Sequence, residues 1–129
     1  MKYLALDYGS KKIGVAISDE MGMFAFPFKI ILNKNKENSL EEFLKIVSEN
    51  NISTIVVGES LNQKGVENKI LEEAKSFVKI LEEKSKAKIV FEKEWFSTVE
   101  ARRYDDRRDA DDSAAAIILQ RFLDKENRK

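Results

Sequence analysis

The stretch LALDYGSKKIGVAISD, residues 4–19, begins as an apolar strand, Leu4, Ala5 and Leu6, that ends on a carboxylate at Asp7 and breaks at Gly9. The apolar pattern resumes at once. Ile13, Val15 and Ile17 alternate with small residues, the period-two pattern of a strand with one well-packed face. YLALD and KIGVAIS, joined by the tight Gly9-Ser10-Lys11-Lys12 connection, therefore predict an antiparallel pair. Residues 24–32, rich in Phe and Ile, supply a third strand, placed at an edge or bulged by the single proline, Pro27.

Beyond this meander the pattern changes. Ser39 and Glu42 stand at capping-box spacing before Leu40, Phe43, Leu44 and Val47, which predicts a helix over residues 39–50. TIVVG, residues 54–58, is a short β-branched run of the kind buried on both faces, followed by the polar loop ESLNQKG. Ile70, Ala74, Phe77, Val78 and Leu81 repeat at helical spacing over residues 67–84, and residues 88–91 return to strand. Helix, strand, helix, strand is the order of parallel crossovers. A second capping box, Ser97 and Glu100, opens a helix into RRYDDRRDADD, and SAAAIILQRFLD closes the chain as a small-then-large apolar helix before a frayed KENRK tail. The expected architecture is a mixed α/β sheet of five strands, three antiparallel and then two parallel, flanked by helices, within a single domain spanning residues 1–129.

Composition limits the chemistry. The 129 residues hold 23 basic and 23 acidic side chains, so any affinity for a polyanion must come from a local patch rather than from the field of the whole molecule. The chain has no cysteine and no histidine. That removes disulfides, thiolate zinc sites, the cysteine nucleophile and the commonest general base, and it leaves a hard, oxygen-seeking cation such as Mg2+ or Mn2+ as the metal a site here would take. The absence of cysteine fits a cytoplasmic protein. No signal-like segment precedes the first strand, and no apolar run approaches the ~20 residues of a membrane span, so no membrane association is expected.

In α/β sheets the functional crevice lies beyond the carboxyl ends of the strands. That rule gathers Asp7 at the end of the first strand, Glu59 after the fourth, Glu92 and Glu94 at the fifth, and Asp112 at the start of the last helix. Carboxylates converging there would hold divalent cations. Two such ions about 4 Å apart would activate a water and stabilise the leaving oxygen in phosphodiester cleavage, so no protein base is needed. Taken singly, each acid has a plainer reading: Asp7 as a strand-end cap, Glu92 and Glu94 as surface residues, Asp112 as a helix cap. Lys11 and Lys12, beside Asp7, are candidates for phosphate contacts. Arg102, Arg103, Arg107 and Arg108 either reach a nucleic-acid backbone or neutralise the five aspartates among them. Asp109 is a further acid on the same helical face as Asp112 if that segment is helical. Trp95 and Phe96 serve either as packing or as a stacking platform for a base.

The blocks DYGSKKIGVAISD, VVGESLNQKG, EWFSTVEAR and DDSAAAIILQRFLD, in this order and nearly spanning the chain, resemble the YqgF/RuvX family of Holliday junction resolvases and ribosomal RNA processing nucleases. The resemblance implies an RNase H-like fold and a metal-dependent nuclease site. Carried over residue by residue, the first-strand aspartate of the family falls on Asp7, its lysine after the turn on Lys11, its glutamate before the Ser-Thr pair on Glu94 and its last aspartate on Asp112. Three departures stand out: Lys93 and Trp95 replace the usual Asp and Arg around Glu94, Ser60 replaces a Pro, and the segment between Glu100 and Asp112 is shorter than the family pattern.

The resulting expectation is a nuclease bound to Mg2+ or Mn2+ that acts on structured nucleic acid, as a monomer or homodimer. Its substrate is the 5′ end of precursor 16S rRNA in ribosome biogenesis, or alternatively a branched DNA in recombination and repair. A non-catalytic nucleic-acid-binding module remains a further alternative, prompted by Lys93 and Trp95. Actin-like and sugar-kinase ATPases also open with Asp-x-Gly and a hydroxyl residue, but they need two such domains to enclose a nucleotide.

Overall fold

A computed structural model of the chain describes residues 2–9, 11–59, 69–93 and 110–128, with side chains outside that description at 59, 69–71, 93 and 110–113. Five strands form one sheet in the order β3-β2-β1-β4-β5. β1 (Lys2–Tyr8) pairs antiparallel with β2 (Lys12–Ser18), which pairs antiparallel with β3 (Ala25–Leu32). β4 (Ile52–Glu59) lies parallel to β1, and β5 (Lys88–Lys93) parallel to β4. The expected mixture of antiparallel and parallel strands is therefore present. Helices α1 (Lys36–Glu49), α2 (Lys69–Ser85) and α3 (Ala110–Asn127) complete the described elements.

The two faces of the sheet are built to different thicknesses. Leu4, Leu6, Tyr8, Ile13, Val15 and Ile17 pack with Phe43 and Val47 of α1 and with Phe77, Val78 and Leu81 of α2. On the opposite face the alternate residues are small: Ala5, Ala16 and Val56 meet Ala115, Ile118, Leu119 and Leu123 of α3. The strand period of two sorts large residues toward the two-helix layer and small ones toward the single helix. Small contacts let α3 lie close to the sheet.

Several boundaries differ from expectation. α1 begins at Lys36, one turn before Ser39, because Asn35 supplies the cap by accepting the Asn38 N–H at 3.1 Å. The Ser39–Glu42 capping box does not form. Ser39 is buried within the helix, and Glu42 forms an ion pair with Lys29 across the β3 face. Residues 125–128 of the terminal KENRK are not frayed: α3 runs through Asn127, whose Nδ2 donates to Gly22 O at 3.0 Å, and Arg128 Nε donates to Asp124 O at 3.2 Å. β1 continues one residue past Asp7, to Tyr8. The expected Ser97–Glu100 capping box lies outside the described residues.

β3 is an edge strand, and its register slips at Pro27, with Val15 opposite Lys29 and Ala16 opposite Pro27, so that Phe28 is the extra residue of a bulge. Phe26, Phe28 and Leu32 are exposed along it, as is Phe24 just before it. The β2–β3 turn is closed by Asp19, whose carboxylate accepts the N–H groups of Met23 at 2.8 Å and Phe24 at 3.1 Å. These bonds, that of Phe24 foremost, hold the Asp19 carboxyl below the usual aspartate range. A depressed acid stabilises the fold above its ordinary value and loses that contribution as pH falls through the lowered one. Asp19→Ala is accordingly expected to lower the urea midpoint at neutral pH, with the gap to wild type closing in strong acid.

Two parallel crossovers leave their helices through left-handed residues, Asn51 at φ 54° and Lys86 at φ 64°. Asn tolerates this conformation, whereas a lysine there carries strain of about 1 kcal/mol. Lys86→Gly should recover about 0.5–1 kcal/mol of stability in urea titration, since only glycine enters that region freely.

Candidate active site

Asp7 is half-buried near the carboxyl end of β1. By the strand alternation it shares the α3 face with Tyr3 and Ala5. Across the antiparallel ladder its partner on β2 is Gly14. On the parallel side Leu6 partners Val57, which sets Gly58 level with Asp7, and Gly58 in turn partners Glu92 of β5. A row thus crosses the sheet on one face: Gly14, Asp7, Gly58, Glu92. Both strands that flank Asp7 thus carry a glycine at its level. This row was not anticipated; the glycines at alternating positions of KIGVA and IVVG were its signal.

Glu92 has another occupation. It is 8% exposed and accepts a hydrogen bond from Lys125 Nζ of α3 at 2.6 Å. Its plainer reading as a surface acid is corrected by that burial. The row therefore ends in a pair that ties α3 to the far strand.

The direction of α3 follows from its polar contacts. Gln120 Oε1 accepts the Ala25 N–H at 2.9 Å and its Nε2 donates to Met23 O, while Asn127 reaches Gly22. All three partners sit at the β2–β3 turn, which the pairing of Ser18 with Ala25 and Ile17 with Leu4 sets at the amino end of β1. Tyr3, at that same end, packs its ring against Phe122 with centroids 5.5 Å apart. Ala115, seven residues earlier, belongs with Ala5 and Val56 to the thin-face core. The second half of α3 therefore packs by the amino end of β1, while Lys125 reaches across the sheet to Glu92.

Of the three carboxylates expected to form the metal site, Asp7 is described in full. Asp112 belongs to the first turn of α3, at the helix start where it was expected, and its side chain lies outside the described residues; a position inside the helix departs from its plainer reading as a cap. Glu94 directly follows β5 and lies outside the described residues, as do Arg102 and Arg103. Among the described residues no group of three or more acids is arranged to hold a metal ion. Lys11 and Lys12 are both exposed in and after the β1–β2 turn. A side chain at Gly9 would meet Lys12 O at 2.6 Å, so that turn closes too tightly for anything but glycine.

The sheet order, the antiparallel first three strands and a closing helix over the face that bears the first-strand aspartate define an RNase H-like domain. Thermus thermophilus RuvC in complex with a Holliday junction substrate superposes with a TM-score of 0.69 over 98% of this chain and 96% of that one, at 12% identity. The fowlpox virus resolvase, in complex with its substrate Holliday junction DNA, superposes with a TM-score of 0.63 over 98% and 99%, at 11% identity. At these identities the likeness concerns the fold. The family described as "RuvX: Holliday junction resolvase" matches residues 1–125. A relative from Clostridium botulinum is 37% identical over 134 residues, covering 97% of this chain and 98% of its own. One from Halothermothrix orenii is 33% identical over 137 residues, covering 99% and 98%. Both bear the name "Putative pre-16S rRNA nuclease". The chain belongs to the RuvX family.

Proposed function

We propose that this chain is a single-domain, metal-dependent nuclease that hydrolyses phosphodiester bonds in structured nucleic acid, with the 5′ end of precursor 16S rRNA as its substrate. The observation that carries the reading is the row in which Asp7 stands between Gly14 and Gly58, on the face that α3 covers. Axial spacing supports adding Asp112 to that site. From Tyr3 to Asp7 is four strand residues, about 13 Å. From Phe122, in contact with Tyr3, back to Asp112 is ten helical residues, about 15 Å. The two acids thus lie at similar distances from a shared contact.

Asp7, Asp112 and Glu94 would hold Mg2+ or Mn2+, a fit supported by a donor set made of carboxylates in a chain without histidine or cysteine. Bound there, the metal would supply an activated water and charge stabilisation at the leaving oxygen. Lys11 and Lys12 would bind phosphates beside the site, and Arg102 and Arg103 would extend the contact along the backbone of the nucleic acid. The names borne by the relatives favour precursor rRNA. The family description favours a four-way DNA junction as a second reading, for which a homodimer with paired sites would replace the monomer. The chain would work in the cytoplasm; no described helix is long and apolar enough to cross a membrane.

Incubation of the full chain with labelled precursor rRNA, duplex RNA and a four-way DNA junction, each with Mg2+, Mn2+ or a chelator, tests both readings. Cleavage of the precursor that the chelator abolishes is the expected result. Preference for the junction would transfer the assignment to DNA. Inertness toward every substrate would remove the nuclease reading altogether.

A further inference from the structure

The β1–β2 turn, which follows Asp7 and carries Lys11, is held from outside the hairpin. Asn33, the first residue after β3, grips it twice: its backbone N–H donates to Lys11 O at 2.8 Å, and its Nδ2 donates to Gly9 O at 2.9 Å. The other amide atom, Oδ1, accepts from the Ser39 hydroxyl at 3.0 Å. Because Gly9 presents only a carbonyl oxygen, the Nδ2 must face it, and the orientation of the amide is fixed by chemistry. Ser39 is 1% exposed, and its hydroxyl also lies 3.0 Å from Asn35 O and 3.3 Å from Leu32 O. Whichever acceptor takes its single proton, Ser39 ties the start of α1 to the segment that holds Asn33. The grip reaches from the turn, through one amide, into the buried side of a helix.

Nothing in the proposed chemistry uses Asn33, and the hairpin does not need it to pair. We propose that Asn33 is a positioning residue for substrate binding, fixing the backbone of the turn so that Lys11 is directed at a phosphate of the nucleic acid. The inference rests on the nuclease reading above through its assignment of Lys11. A lysine is a point charge on a flexible stem, so its direction is set by the backbone from which it springs. The backbone bond of Asn33 holds the turn at Lys11 and its side-chain bond, the one that alanine removes, holds it at Gly9, where closure is tight.

A double-mutant cycle on the full chain tests this. Binding of a fluorescein-labelled RNA stem-loop is followed by anisotropy in chelator at several salt concentrations, for wild type, Asn33→Ala, Lys11→Ala and the double variant, with thermal midpoints recorded in parallel. Asn33→Ala is expected to weaken binding about fivefold and to lower the salt slope by about one, as Lys11→Ala does. Its midpoint should stay within a few degrees of wild type, and the double variant should bind no more weakly than Lys11→Ala alone. If Asn33→Ala does not fold, Ser39→Ala removes the anchor and enters the same cycle. Wild-type binding by the Asn33 variant beside a weakened Lys11 variant overturns the inference, and so do losses that multiply. If Lys11→Ala itself binds as wild type, the positioning role falls with the Lys11 assignment, while cleavage that depends on Asp7 leaves the nuclease reading standing.

Discussion

Asp7→Asn is expected to lower kcat on a cleaved substrate by about a thousandfold, some 4 kcal/mol of transition-state stabilisation, with the fold intact. The substitution preserves size and shape, removes the charge and turns one acceptor oxygen into a donor. Asp7 has glycines level with it on both neighbouring strands, so no packing depends on the replaced atoms across those strands. If the site gathers acids to hold cations, removing one of them relieves repulsion in the absence of metal. The thermal midpoint in chelator should therefore be unchanged or raised, and the midpoint gained on adding Mg2+ should shrink. An acid kept for structure would behave in the opposite way, with a lowered midpoint and full activity. That pair of measurements decides whether the end of β1 is a reaction centre.

Phe43→Ala should cost about 3–5 kcal/mol in a urea titration, a large share of the ~5–15 kcal/mol that a domain of this kind has. Phe43 is fully buried. Its ring meets Phe77 edge-on with centroids 6.1 Å apart, and Phe77 in turn lies 5.4 Å from the ring of Tyr8. The aromatic chain thus joins α1, α2 and the residue next to Asp7. Truncation leaves a cavity at its α1 end, inside the core formed with the strands and α2. A loss below about 2 kcal/mol would show that α1 settles inward and closes the space.

Sequence pattern determines the strands more fully than it determines the helix ends. Leu4, Leu6, Ile13, Val15 and Ile17 alternate cleanly because one face of the sheet takes two helices, and the β-branched run around Val56 is buried on both sides as its composition indicates. The start of α1 was misplaced because two residues can cap within one turn of each other. Asn35 prevails because Ser39 is drawn into the contacts of the β3–α1 connection, a tertiary demand absent from local spacing. The end of α3 was misjudged for a similar reason: a polar KENRK reads as solvent-exposed, yet Asn127 has a partner more than a hundred residues away.

The candidate site divides along the same line. Asp7 was legible because an acid near the end of an apolar strand is chemically conspicuous. The glycines on either side of it were not, since their placement depends on register between three strands. Glu92 could not be assigned to Lys125 without the position of α3. Asn33 gave no signal in the sequence, because one asparagine after a strand is an ordinary turn residue until its partners are known.

The thin face of the sheet bears on how substitutions in this chain would be read. Ala5, Ala16 and Ala115 touch no substrate in any version of the site, yet they set the height at which α3 rides and hence where its first turn arrives. A survey of inactivating substitutions would for that reason trace a band across β1, β2 and α3 rather than a point at Asp7. Many of its members would be enlarged alanines in proteins that still fold. Activity here would be lost through a displaced helix long before the chain is lost through unfolding.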